Sequence, residues 1–231
     1  MIIAGLQKNT LIDYPGKVAC TVFLASCNFR CPFCYSTELV LPEKIKEQGK
    51  IPEKEFFNFL ESHQGLLEGV VLCGGEPSLN NNLPKFADKI KKMNFSVKFD
   101  TNGSNPEMLE KLVESKMVDY VAMDIKAPKS KYDTFSGNLA DIEKVEQSMN
   151  FLKKGNVDYE FRTTAAPGLS REDILKIADW ISPAKRYFIQ EFSNQKQVLD
   201  PSINTQLVLD KDELNDIAEL IGTEFEVCGV R

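Results

Sequence analysis

The sequence predicts an α/β fold, a partial (βα)6 TIM-like barrel, on three observations. Short apolar runs alternate with stretches of helical period along most of the 231 residues. The connections between them are short, as consecutive right-handed βαβ crossovers allow. A complete eight-unit barrel typically takes about 250 residues, so a shorter chain suits an incomplete one.

The elements follow in order. Residues 1–17 read as an N-terminal lead-in that ends in the turn residues Pro15 and Gly16. Val18 to Leu24 is the first strand. Gly69 to Cys73 is a continuous apolar run, as expected of a parallel strand covered on both faces. Phe95 to Asp100, Val118 to Asp124, Asp158 to Thr163 and Arg186 to Phe192 repeat that pattern. Helical stripes lie between them, Leu83, Phe86, Ile90 and Met93 in one and Ile142, Val145, Met149 and Leu152 in another. Ser170 with Asp173 three residues on has the form of a capping box, opening a helix that carries Ile174, Ile177 and Trp180. Lys211 to Ile221 is a last helix, and Phe225 to Val230 a closing strand. No Gly/Ser linker or low-complexity segment interrupts the series, so residues 1–231 are expected to form one domain.

Composition narrows the function classes. Hydrophobic residues at 42% and charged residues at 27% exclude disordered and collagenous chains. No apolar run approaches the roughly 18 residues of a spanning helix. Met1 to Gly5 lacks the basic and apolar regions of a signal peptide. A net charge of −6 argues against a nucleic-acid-binding surface. Six cysteines without an export signal read as thiols or metal ligands of a cytoplasmic protein, not as disulfides.

In such folds the chemistry sits at the C-terminal ends of the strands. Cys27-Asn-Phe-Arg-Cys31-Pro-Phe-Cys34 follows the first strand and brings three thiolates onto one tight loop, where they can converge on a soft metal centre. Zinc needs a fourth ligand. The only histidine, His63, lies on a helix end, and Cys20, Cys73 and Cys228 are scattered. Three ligands and a vacancy suit a [4Fe–4S] cluster with one open iron. Cys73-Gly74-Gly75-Glu76-Pro77 closes the second strand, with glycines that permit close backbone approach. Asp100-Thr101-Asn102-Gly103 ends the third. Asp124-Ile125-Lys126 ends the fourth with an acid and a base on one face, and Arg162 adds a cation on the fifth.

The C-x3-C-x2-C spacing, with aromatic Phe33 before the third cysteine, resembles the signature of radical S-adenosylmethionine (SAM) enzymes. The Gly74-Gly75-Glu76-Pro77 segment is similar to that family's second motif. The resemblance implies a barrel of the radical SAM type, with Cys27, Cys31 and Cys34 on a [4Fe–4S] cluster. It also implies a SAM site lined by Phe33, Tyr35, Gly74, Gly75, Glu76, Asp100, Asp124, Ile125, Lys126 and Arg162, with Glu76 and nearby carbonyls accepting from the methionyl ammonium. Within the family, Leu11-Ile12-Asp13-Tyr14-Pro15-Gly16-Lys17 resembles the opening of activating enzymes of glycyl radical enzymes, above all the activator of anaerobic ribonucleoside-triphosphate reductase. That likeness implies a glycyl radical enzyme as partner, a flavodoxin- or ferredoxin-type electron donor, and Asp13 as a substrate-binding residue that holds the glycine-bearing loop. No side chain is then needed as a general acid or base.

Two departures stand out. Tyr35-Ser36 replaces the usual His-Asn, and Gln190 to Asn194 holds no histidine where pyruvate formate-lyase-type activators have one. The alternative readings are a small-molecule radical SAM enzyme resembling 7-carboxy-7-deazaguanine synthase, and a plain electron-transfer module. His63, Cys73 and most of the fifteen phenylalanines read as structural.

Overall fold

Eight strands form a single sheet in the computed structural model, which describes residues 1–193 and 197–231. They are β1 (Ile3–Thr10), β2 (Ala19–Leu24), β3 (Gly69–Gly74), β4 (Ser96–Thr101), β5 (Tyr120–Asp124), β6 (Asp158–Thr164), β7 (Ala184–Gln190) and β8 (Phe225–Val230). Their order in the sheet is their order in the chain. β1 runs antiparallel to β2, and every later pair is parallel. β1 and β8 remain as two edges, so the sheet curls without closing.

Strand alternation separates two environments. Cys20, Val22, Val70, Leu72, Val97, Phe99, Val121 and Phe161 are fully buried beneath the surrounding helices, in the large core. The alternate residues face the inside of the curl, where apolar packing is confined to a small cluster of Tyr14, Ala19, Val71 and Tyr120. The remainder of that inner face is polar, and Thr21, Lys98, Asp100 and Glu160 are all buried on it. A closed barrel of this size fills its interior with branched aliphatic side chains. Here the interior is charged.

The helices stand where the apolar stripes place them. Leu83–Lys92, Ile142–Lys153 and Lys211–Ile221 each bury one face. Helix Arg171–Ile181 opens on the expected capping box, in which the Ser170 hydroxyl accepts from the Asp173 N–H and the Asp173 carboxylate from the Ser170 N–H. A second box, Asp210 with Glu213, opens the last helix. His63 is structural, its ring 4.1 Å from that of Phe59 at the end of helix Glu53–Ser62. No described helix is long and apolar enough to cross a membrane.

The lead-in requires correction. Residues 3–10 are an edge strand, β1, hidden from pattern reading because its pairing slips between Ile3 and Gly5 and again between Gln7 and Thr10. Each slip breaks the period of two on which a strand is recognised. Residues 11–17 then fold back across the inner face of β2 and β3. Tyr14 is 3% exposed there, and a Cβ on Gly69 would meet its ring at 2.9 Å, so that glycine makes room for the tyrosine.

Candidate active site

The cysteine loop leaves β2 at Ala25 and is fastened on several sides. Ser26 N–H donates to Leu39 C=O at 2.8 Å, Arg30 N–H to Ser136 C=O at 2.9 Å, and Arg30 Nη1 to the carbonyls of Cys27 and Phe29. Leu199 and Asp200 N–H groups donate to Cys34 and Pro32 carbonyls, so the segment after β7 straps the loop from the far end of the chain. The end of β3 presses against the loop's start. A Cβ on Gly75 would lie 2.1 Å from Ser26 O, and one on Gly74 (φ 128°) 2.3 Å from Leu24 O. Only glycine fits this contact.

Cys27, Cys31 and Cys34 line one cavity, with Phe33, Gly74 and Gly75 in its wall and Asp100, Asp124, Lys126 and Arg162 on its floor. Burial pushes the Cys27 thiol up to about 12 and Cys31 to about 11, and raises Cys34 as well. Left free they are protonated, inert thiols, and a metal centre must displace those protons. Lys126 is a charged neighbour of all three. Cys73 also borders the cavity, yet the charges around it are Asp100, Arg162 and Lys98, on the floor away from the loop. Among the described residues, no three His, Cys, Asp or Glu side chains close on a single ion. Three thiolates lining one cavity fit a [4Fe–4S] cluster with one open iron.

The floor is a ladder of alternating charge. Lys98 Nζ lies 2.5 Å from Asp100 Oδ1, and Asp100 Oδ2 lies 3.1 Å from Arg162 Nη1. Arg162 Nε then reaches Asp124 Oδ1 at 2.9 Å, and Asp124 Oδ2 reaches Lys126 Nζ at 3.0 Å. Parallel register places Asp124 directly opposite Arg162, and the period of two places Lys98 beneath Asp100. Burial by itself would raise the Asp124 carboxyl, but Arg162 and then Lys126 hold it down at about 2. Burial would lower Lys126, and Asp124 reverses this, keeping the ammonium charged.

Three of the residues expected at the SAM site lie outside the lining of the cavity. Glu76 is fully buried, its carboxylate occupied by Ser78 N–H, Thr101 Oγ1 and Asn102 N–H at 3.1, 2.8 and 2.6 Å. It is a strut between the ends of β3 and β4, because a turn and a neighbouring strand end both present donors to it. Ile125 points outward into the large core, since it follows an inward-facing residue. Tyr35 is turned away from the cavity, stacking on Phe192 at 5.5 Å while its hydroxyl accepts from Ser193 N–H at 2.7 Å. That bond ties the cysteine loop to the stretch where activators carry their histidine; Asn194 of that stretch lies outside the described residues. Sequence reasoning missed Lys98, a lysine inside an apolar run, whereas Thr101 and Asn102, in the strand ending already noted, line the cavity beside Asp100. The inward parity of Lys98 with Asp100 was the available signal.

A second cleft opens on the unclosed side of the sheet, with a volume of about 610 Å3. Ile12, Asp13 and Pro15 form one wall, and Gln190, Glu191 and Arg231 the other. Arg162 lines both cavities, which makes them neighbours across one side chain. Asp13 is anchored here, its Oδ2 accepting from the Thr21 hydroxyl at 2.7 Å.

A family model described as the Radical SAM superfamily matches residues 21–181. A Methanocaldococcus jannaschii protein, provisionally named a glycyl-radical enzyme activating enzyme, is 32% identical over 225 residues, 95% of this chain and 91% of that one. A 7-carboxy-7-deazaguanine synthase of Aquifex aeolicus is 31% identical over 93 residues, 39% of each chain. Among solved structures, Streptococcus suis SuiB bound to S-adenosylmethionine matches with a TM-score of 0.66 at 14% identity, over 90% of this chain and 51% of that one. The chain thus spans about half of that protein, and the likeness concerns the fold alone.

Proposed function

The chain belongs to the radical SAM superfamily, and from that premise we propose that it installs a glycyl radical in a partner enzyme. It is a radical SAM oxidoreductase whose cofactors are a [4Fe–4S] cluster and SAM. When bound, that pair supplies an electron and a cleavable sulfonium, giving methionine and a 5′-deoxyadenosyl radical able to take a hydrogen atom from glycine. In this reading Cys27, Cys31 and Cys34 hold the cluster. The carbonyls at Gly74 and Gly75 receive the methionyl ammonium, Phe33 packs against the adenine, and the Asp100–Arg162–Asp124–Lys126 ladder fixes the ligand's charged end. No side chain moves a proton; the protein orients and excludes water.

The observation that carries the reading is the open side cleft adjoining the cysteine-lined cavity through Arg162, which leaves room for a polypeptide loop. The relation to the Methanocaldococcus protein over 95% of the chain supports it. Anaerobic ribonucleoside-triphosphate reductase is the partner we favour, on the Leu11 to Lys17 opening, with a flavodoxin or ferredoxin as electron donor. A small-molecule reaction is the second reading, supported by a relation that covers 39% of the chain.

Anaerobic reconstitution with dithionite and SAM is expected to yield 5′-deoxyadenosine. Adding the reductase should produce a glycyl radical signal by electron paramagnetic resonance. Sustained 5′-deoxyadenosine formation with no radical on the reductase or on any other glycyl radical enzyme encoded beside this protein would overturn the activating role.

Lys126→Ala is expected to weaken SAM binding roughly tenfold, about 1.4 kcal/mol, through loss of a charged contact, with iron content unchanged. Equilibrium dialysis against SAM measures it. Wild-type affinity in that variant removes Lys126 from the SAM site.

A further inference from the structure

Among the described residues, the Tyr132 hydroxyl is a buried group with no hydrogen-bond partner. We propose that it donates a hydrogen bond to the Cys31 corner of the iron–sulfur cluster and so eases the cluster's reduction. This rests on the three-cysteine cluster of the reading above and holds whatever substrate the radical meets.

Tyr132 opens the short helix Tyr132–Ser136, which is fastened to the cysteine loop on both sides of Cys31. Ser136 C=O accepts from Arg30 N–H at 2.9 Å, and the Phe135 ring lies 5.9 Å from that of Phe33. Gly137 ends the helix at φ 76°, so close to the loop that a Cβ there would meet Arg30 O at 2.5 Å. Tyr132 itself is 1% exposed, its ring set edge-on to that of Trp180 at 5.9 Å. A ring so enclosed cannot swing its hydroxyl out to water.

The ionisable groups around the hydroxyl are Lys126, Cys31 and Asp124, and all three line the cysteine cavity. The Lys126 ammonium has only donors to offer. The main-chain N–H of the same residue approaches the phenol oxygen without completing a bond, and gives the hydroxyl proton nothing. Asp124 is occupied, at Oδ1 by Arg162 Nε and at Oδ2 by Lys126 Nζ. The Cys31 sulfur remains, and as a cluster thiolate it accepts. The other two thiols have donors from within the loop, Phe29 N–H at 3.4 Å from Cys27 Sγ and Ser36 N–H beside Cys34. For Cys31, Tyr132 adds one from outside it. Burial raises the phenol, so it keeps its proton beside the negative cluster. A donor to a cluster sulfur favours the more negative, reduced state and raises the potential.

The test is a redox titration of the reconstituted protein under anaerobic conditions, with the reduced cluster followed by electron paramagnetic resonance. Tyr132→Phe removes the hydroxyl and keeps the ring. Its equilibrium constant for one-electron reduction is expected to fall roughly tenfold, a potential about 59 mV below the parent's. Tyr187→Phe is the control, another fully buried tyrosine, whose hydroxyl lies beside Thr163 and Cys228. It should leave the potential in place. The signal comes from loaded protein alone, so incomplete loading does not distort either value. In the metal-free protein the Tyr132 hydroxyl is unmatched, and Tyr132→Phe should keep or raise the urea midpoint. An unmoved potential in Tyr132→Phe, an equal shift in Tyr187→Phe, or a lower urea midpoint in metal-free Tyr132→Phe overturns the inference. A parent that binds no iron on reconstitution overturns the three-cysteine reading itself.

Discussion

Replacing any one of Cys27, Cys31 or Cys34 by Ala is expected to abolish the iron and the cluster absorbance of the reconstituted protein. The same change at Cys20, Cys73 or Cys228 should leave both in place. The three loop thiols share one cavity and one cationic neighbour, Lys126. Cys20 is fully buried in the outer core, and Cys228 lies on the edge strand β8. Cys73 is the informative control, because it borders the same cavity but faces Asp100 and Arg162. Iron lost from Cys73→Ala would mean a fourth cysteine ligand and no open iron, which would remove the site for SAM. Iron retained in any loop variant would remove the three-cysteine assignment.

Arg162→Met should be the most destabilising single change on the cavity floor, costing about 3–5 kcal/mol. The guanidinium is 13% exposed and bridges Asp100 and Asp124, so its loss leaves one buried and one half-buried carboxylate short of a partner. The urea midpoint measures the cost, and Arg162→Lys should recover only part of it, since an ammonium cannot reproduce two differently directed contacts. The acid dependence supplies an independent check. Asp124 titrates near 2 in the folded protein against 3.8 ordinarily, so its contribution is fully present above about pH 4 and is lost as pH falls through 2. With Arg162 gone, the folded carboxyl rises and this contribution shrinks at neutral pH, flattening the acid limb. A midpoint within about 0.5 kcal/mol of the parent would show that the ladder is not a stabilising network.

How much of this was legible in the sequence depends on range. The buried parallel strands announce themselves as apolar runs, and the helix starting at Arg171 by a box four residues long. Cys27, Cys31 and Cys34 share a loop by spacing alone. Asp100, Asp124 and Arg162 could be placed on one rim because each ends a strand and strand ends gather on one side of the sheet. In every such case the information lies within a few residues of the feature.

The remainder needed the register of distant segments. β1 stayed hidden because its two slips scramble the alternation. Glu76 braces the ends of β3 and β4 through Thr101 and Asn102, a contact that its own segment does not announce. Tyr35 stacks on Phe192 and accepts from the N–H of Ser193, 158 residues along the chain. Lys98 belongs to an apolar run whose inner face turned out to be charged. The sequence by itself determined the strand–helix repeat, the cysteine loop and the chemistry its donors can support. Tertiary structure alone decided which acid meets which cation, because charges pair across strands whose separation in the chain, 62 residues for Asp100 and Arg162, carries no trace of their contact.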